Sequence, residues 1–183
     1  LGWAWDRVTA GDGDGDAGSV ASGGSAANVV RDPRADLPAM AAYPWREQYF
    51  TDIQRATTAY WPYTEYRPEP FRSPYYNVDG WTRRTYRTPG DAGGRPVVWM
   101  LGGSTTWGEG QRDEYTIASW LARFAEADGV PMEIRNYGQR AWTHFQEMVL
   151  YEQRLALDDP PDLSVFYDGV NETNTQALIT EAV

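Results

Sequence analysis

From residue 95 onward the chain alternates between two hydrophobic rhythms. Val97-Val98-Trp99-Met100-Leu101 is a short unbroken apolar run with a β-branched start, which predicts a buried strand at 97–101. Residues 114–127 (EYTIASWLARFAEA) follow, with Ile117, Trp120, Leu121 and Phe124 at helical spacing, and Asp128-Gly129 ends that helix. The pattern then repeats. A strand is predicted near Met132–Asn136, then a helix over about 143–157 carrying Phe145, Met148, Val149 and Leu155, broken by Asp159-Pro160-Pro161. A third strand, Leu163–Tyr167, runs through Asp168-Gly169-Val170-Asn171 into a helix beginning near Thr173. Three successive strand–helix units imply right-handed crossovers and a parallel sheet with helices on both faces, an α/β/α sandwich.

The first half reads differently. Residues 10–28 are rich in Gly, Ser, Ala and Asp and predict a flexible linker. The Asp12, Asp14, Asp16 alternation suggests a calcium loop, but Ala17 stands where the loop needs glycine and Gly23 where it needs an acid. Residues 44–59 are amphipathic at helical spacing with Pro44 at the start. Next comes YWPYTEYRPEPFRSPYYNVDGW, an aromatic and proline-rich arm over 59–76 expected to pack on the domain in extended form. Asn77-Val78-Asp79-Gly80 predicts a turn between short extended pieces. The resulting division is a linker over 1–43, a helix and arm over 44–94, and an α/β unit over 95–183.

Composition narrows the chemistry. The 183 residues are 42% hydrophobic and 23% charged, as a globular domain requires, and the net charge of −10 argues against nucleic acid and anionic membrane surfaces. There is no cysteine, no lysine and a single histidine, His144. Thiol and Schiff-base catalysis, a P-loop lysine and multi-histidine metal sites are thereby excluded, and no cofactor or metal is expected. No run is long and apolar enough to span a membrane. The chain opens on Leu1 and closes within an apparent helix at Leu178–Val183, so both ends are expected to be cuts through a longer protein. Trp3, Trp5 and Arg7 fit the interfacial end of a membrane anchor upstream of Leu1, or an exposed tail.

Each strand ends in a small polar cluster: Gly102-Gly103-Ser104, Asn136-Tyr137-Gly138 and Gly169-Val170-Asn171. On adjacent parallel strands these clusters converge at the edge where such sheets bind ligands. Ser104 is then either a helix N-cap or a nucleophile, Asn171 either a cap or an oxyanion donor, and Gly138 either a turn residue or a site of close backbone approach. No G-x-G-x-x-G follows the first strand, and Thr106 breaks the Gly-x-Ser-x-Gly of an α/β-hydrolase.

The ordered blocks GGSTTWG, NYGQRAW and PDLSVFYDGVNE resemble those of SGNH/GDSL-type hydrolases over roughly residues 75–172, and YYNVDGWTRR resembles the lead-in of membrane-anchored bacterial members. The resemblance implies a three-layer α/β/α fold with a parallel sheet of flavodoxin-like order. It implies a serine esterase with Ser104 as nucleophile and the Ser104 amide, Gly138 and Asn171 as oxyanion hole. It also implies an acyl or acetyl ester substrate, a glycan or small molecule, and an extracytoplasmic, membrane-anchored or secreted location. Two departures stand out. Glu172 replaces the usual Asp after the Asn, and no Asp-x-x-His occurs in the sequence, so the general base is not in this chain. His144, at the start of a helix, is read as a surface residue and not as that base. The chain alone is expected to be inactive. The competing expectation is a catalytically silent domain that binds glycans or proteins through its aromatic arm.

Overall fold

The computed structural model describes residues 31–90 and 93–181; the 10–28 linker, the Asp12–Asp16 alternation and the Trp3–Arg7 start lie outside them. Twelve strands and α-helices follow in order: α1 (Arg46–Arg55), β1 (Thr58–Trp61), β2 (Glu65–Pro68), β3 (Val78–Asp79), β4 (Thr82–Arg83), β5 (Val97–Gly102), α2 (Ser104–Trp107), α3 (Ile117–Ala127), β6 (Glu133–Asn136), α4 (His144–Leu157), β7 (Leu163–Tyr167) and α5 (Val170–Glu181). No described helix is long and apolar enough to cross a membrane.

Strand β5 lies at the centre of the α/β unit, hydrogen-bonded in parallel to β6 on one side and β7 on the other. This is the flavodoxin-like order of the first three strands. The sheet is mixed, however, and not parallel throughout, because its order is β3-β4-β6-β5-β7 and β4 runs antiparallel to β6 through Arg83 and Asn136. The reason is the connection between β3 and β4. Gly80-Trp81 is a two-residue loop with Gly80 at φ +61°, which reverses the chain and leaves no length for a crossover.

The alternation along β5 sends Val98 and Met100 to one face, against Ala118 and Ala122 of α3, and Trp99 and Leu101 to the other, against Leu150 of α4. Helices cover both faces, as expected, but they turn different stripes inward. In α3 the small residues Ala118, Ser119, Ala122 and Ala125 are buried, whereas Trp120 and Phe124, stacked on each other at 5.7 Å, face solvent. A helix pressed onto the bulky Val98–Met100 face gains more from alanines, which allow close approach, than from indole and phenyl rings. In α4 the buried positions are Glu147 and Leu150, while Phe145 and Leu155 are exposed.

Residues 31–43, assigned above to a flexible linker, are ordered from Arg31. Asp32 caps a short 3-10 helix, Pro33–Asp36, by accepting the Arg34 N–H. Ala35 then enters a core with Trp45, Tyr49, Phe50 and Ile53 from the α1 region, Tyr76, Val78 and Trp107. The arm also departs from expectation, since Thr58–Trp61 pairs antiparallel with Glu65–Pro68 instead of remaining irregular. The hairpin's prolines stand at 62 and 68, where it turns and ends, and Pro70 and Pro74 follow it. Trp61 packs edge-on against Trp81 at 5.4 Å and Tyr66 against Trp142 at 5.9 Å, whereas Tyr60 and Tyr63 point outward.

Candidate functional site

The turn after β5 is built from steric necessity. Gly102 has φ +150°, and a Cβ there would stand 2.2 Å from Thr106 Oγ1 and 2.3 Å from the Tyr167 carbonyl. Thr106 Oγ1 donates to that carbonyl at 3.0 Å, tying the turn to the end of β7. Gly103, not Ser104, is the N-cap of α2, and no side-chain cap bond is made. Ser104 is therefore the first helical residue. Its hydroxyl has no hydrogen-bond partner among the described residues, and its carbonyl accepts the N–H groups of Gly108 and Glu109, each at 3.0 Å.

The other two strand ends close around this turn. A Cβ on Gly138 would lie 2.4 Å from the Trp107 nitrogen and 2.8 Å from the Thr106 carbonyl carbon, so the β6 end abuts the backbone of α2. A Cβ on Gly103 would lie 2.8 Å from Asn171 Nδ2. That amide donates to the Trp142 carbonyl at 2.6 Å, which leaves one of its two N–H groups over, and Asn171 lies inside α5 and is not its cap. The Gly138 N–H is already engaged: it donates to Asn136 Oδ1 at 3.0 Å.

A buried staple holds the far side of α2. Arg83, fully buried, donates to Asp113 at 3.0 Å and to the carbonyls of Trp107 (2.9 Å), Gly108 (2.7 Å) and Gln111, and its guanidinium lies over the Tyr76 ring at 4.9 Å. Asn77 Nδ2 donates to the second Asp113 oxygen at 2.7 Å. Every oxygen and nitrogen of the Arg83–Asp113 pair thus has a partner, as a buried ion pair requires. A second network crosses the surface. Glu109 accepts from Arg34 at 2.7 Å and Arg140 at 2.6 Å, and Arg34 also pairs with Asp32 at 2.6 Å. The Arg34 guanidinium holds the Asp32 carboxyl down at about 2. Sequence reading missed both networks. Arg83 lies in the TRR of the lead-in block, but nothing local joins it to Asp113, thirty residues on.

His144 and its neighbours form a further cluster at the C-terminal end of β7. Its Nδ1 lies 2.7 Å from Asp168 Oδ2, and its ring meets the edge of Phe166 at 5.2 Å. Glu172 clamps the cluster, one oxygen accepting the His144 N–H and the other the Gly169 N–H at 2.8 Å. The Glu172 side chain thus spans from α5 to the start of α4. Glu147, one turn along α4, is fully buried and neither carboxylate oxygen has a partner among the described residues. Burial, reinforced by the charges of Asp168 and Glu172, pushes its carboxyl up to about 8. Beside Asp168 it is the protonated form that can donate a hydrogen bond.

No family model matches this sequence, and no curated protein matches it. Among solved structures, the crystal structure of AlinE4, an SGNH-hydrolase family esterase, is similar with a TM-score of 0.43 and 20% identity, over 47% of this chain and 46% of that one. Two single-substitution variants of AlinE4 are similar at TM-scores of 0.43 and 0.41, with 20% and 19% identity. The chain spans about half the length of these structures.

Proposed function

We propose that this chain carries the nucleophile side of an SGNH-type serine ester hydrolase that works through an acyl-serine intermediate. The observation that carries this reading is the state of Ser104. Its hydroxyl is not spent on capping, and it stands at the turn where Gly138 and the Asn171 amide come closest to the backbone. In the proposed reaction Ser104 Oγ attacks the carbonyl of an acyl or acetyl ester. The developing oxyanion is held by the Ser104 N–H, the remaining Asn171 amide proton and the Gly138 N–H, which it shares with Asn136. The alcohol leaves, and water releases the acyl group.

The Ser104 proton needs an acceptor. The sequence has no Asp-x-x-His, and the one histidine has its Nδ1 engaged with Asp168. This chain alone is therefore expected to hydrolyse no ester, and Ser104-dependent turnover by it overturns that part of the reading. A longer form that supplies the Asp-x-x-His block is expected to be labelled at Ser104 by a fluorophosphonate, with labelling lost in Ser104→Ala. Absence of labelling in that longer form refutes the hydrolase reading. An extracytoplasmic, membrane-anchored or secreted location belongs to the same proposal.

The outward-facing Tyr60 and Tyr63 at the tip of the β1–β2 hairpin favour one second reading, a silent domain that binds glycans. It predicts glycan binding that Ser104→Ala leaves intact and Tyr60→Ala with Tyr63→Ala removes.

A further inference from the structure

We propose that His144, Glu147 and Asp168 form a binding site for a divalent transition-metal ion of the Zn²⁺ or Mn²⁺ kind. The proposal is independent of any chemistry at Ser104. Its starting point is an anomaly of burial. Glu147 is fully buried, yet both of its carboxylate oxygens lack hydrogen-bond partners among the described residues. A buried carboxylate without a partner is costly, and either a proton shared with Asp168 or a bound cation is what satisfies it there. The groups nearest to it deepen the anomaly, since Asp168 and Glu172 are also acids. A cation resolves all three.

The donors are already gathered. One ligand atom from each of His144, Glu147 and Asp168 lies within 4.8 Å of the others. His144 and Glu147 are at i and i+3 of α4 and so share a face of the helix, while Asp168 comes from the turn after β7. The separation of 2.7 Å between His144 Nδ1 and Asp168 Oδ2 is close to the spacing of about 3 Å between neighbouring ligands around an ion with bonds near 2.1 Å. Neutral imidazole with its proton on Nε2 presents Nδ1 as the donor. Glu147 must move inward slightly, because opposite ligands on such an ion stand about 4 Å apart. Glu172 is a positioning residue here. Both of its oxygens are held by backbone N–H groups, one of His144 itself and one of Gly169 beside Asp168, so it fixes the two elements whose side chains meet.

The donor set selects the class of ion. One imidazole and two carboxylates suit Zn²⁺ or Mn²⁺, whereas Ca²⁺ and Mg²⁺ prefer oxygen alone. Water completes the sphere on the exposed side, where His144 meets solvent.

The test is direct binding to chelator-treated protein. Calorimetric titration with Zn²⁺ and with Mn²⁺ is expected to give one equivalent for at least one of them, and Co²⁺ is expected to give visible absorption bands altered by His144→Ala. Glu147→Gln and Asp168→Asn are each expected to weaken binding by at least about tenfold. Ser104→Ala is expected to leave it unchanged. Glu147→Gln keeps the side-chain shape and, like the protonated carboxyl, carries no charge, so it is expected to fold, and circular dichroism checks this directly. Titrations showing no stoichiometric binding, or binding that survives both Glu147→Gln and Asp168→Asn in folded protein, overturn the proposal. So does a preference for Mg²⁺ or Ca²⁺.

Discussion

Asn136 and Gly138 share a hydrogen bond that fixes the approach of β6 to the Ser104 helix. Asn136 Oδ1 accepts the Gly138 N–H at 3.0 Å, and its Nδ2 donates to the Thr106 carbonyl at 2.8 Å. The side chain is completely buried. Asn136→Leu keeps much of the volume and leaves one donor and one acceptor without partners, at about 1–3 kcal/mol each. A loss of about 2–6 kcal/mol is expected from urea denaturation. A change below about 1 kcal/mol would mean that water replaces the amide there.

Gly138 tests the same contact from the other side. An alanine Cβ would sit 2.4 Å from the Trp107 nitrogen, and the neighbour is backbone that cannot swing aside. Gly138→Ala is expected to cost about 3 kcal/mol or more and to displace α2. Gly129→Ala is the control. Its φ is +79° with open space around it, so only the backbone penalty of about 1–2 kcal/mol applies. Equal losses for the two variants would refute the steric account.

The Arg83–Asp113 pair predicts an asymmetry between single and double substitution. Arg83→Met strands a buried carboxylate and three carbonyls, and a loss of about 3–5 kcal/mol is expected. Adding Asp113→Asn should recover part of it, because the uncompensated charge is gone. Arg83→Lys is not expected to rescue, since one ammonium cannot reach the Asp113 carboxylate and all three carbonyls. Thermal unfolding of the three variants, ranked against one another, decides this.

Asp32 gives a pH dependence with a definite sign. Its carboxyl is held at about 2 in the folded chain, below the ordinary 3.8. A lowered carboxyl contributes stability that is fully present above the unfolded value and is lost as pH falls through the folded one. The Asp32–Arg34 contribution is therefore expected to be intact above about pH 4 and to disappear between about pH 4 and pH 2. The difference in unfolding free energy between wild type and Asp32→Asn, measured across this window, should shrink towards acid.

The inward face of α3 predicts opposite responses at neighbouring positions. Ala122→Leu forces a branched side chain between α3 and the Val98–Met100 face and is expected to cost about 1–3 kcal/mol. Phe124→Gln, at an exposed position, is expected to change stability by less than about 1 kcal/mol. The reverse order would restore the bulky stripe to the core.

These α3 positions also show where sequence reading stops. The existence and direction of β5, α3, β6, α4 and β7 were legible, because an apolar run bounded by glycine or proline has few other solutions. The inward face of α3 was not. Trp120 and Phe124 carry the stronger hydrophobic signal, but the spacing between helix and sheet is set by the partner surface, which no window of one segment contains. Ser104, Gly138 and Asn171 could be gathered in advance because parallel strands bring their ends to one edge. Arg83 with Asp113, and His144 with Asp168 and Glu147, could not. Asp113 and Asp168 lie on other elements than Arg83 and the His144–Glu147 helix face, and their meeting depends on loop paths that leave no spacing rule.

Strand β7 has one described ladder partner, β5, and on its other side its backbone N–H and C=O groups run along the rim of the sheet. Such a rim is a templating surface. Any extended polypeptide that reaches it gains a row of main-chain bonds without matching side chains, and Leu163 and Tyr167, both exposed, add an apolar grip. Association through this rim would proceed by growth of the sheet, whereas association through the exposed Trp120–Phe124 face would bury side chains alone. The two routes differ in the amide I infrared band, which shifts only when new strand ladders form.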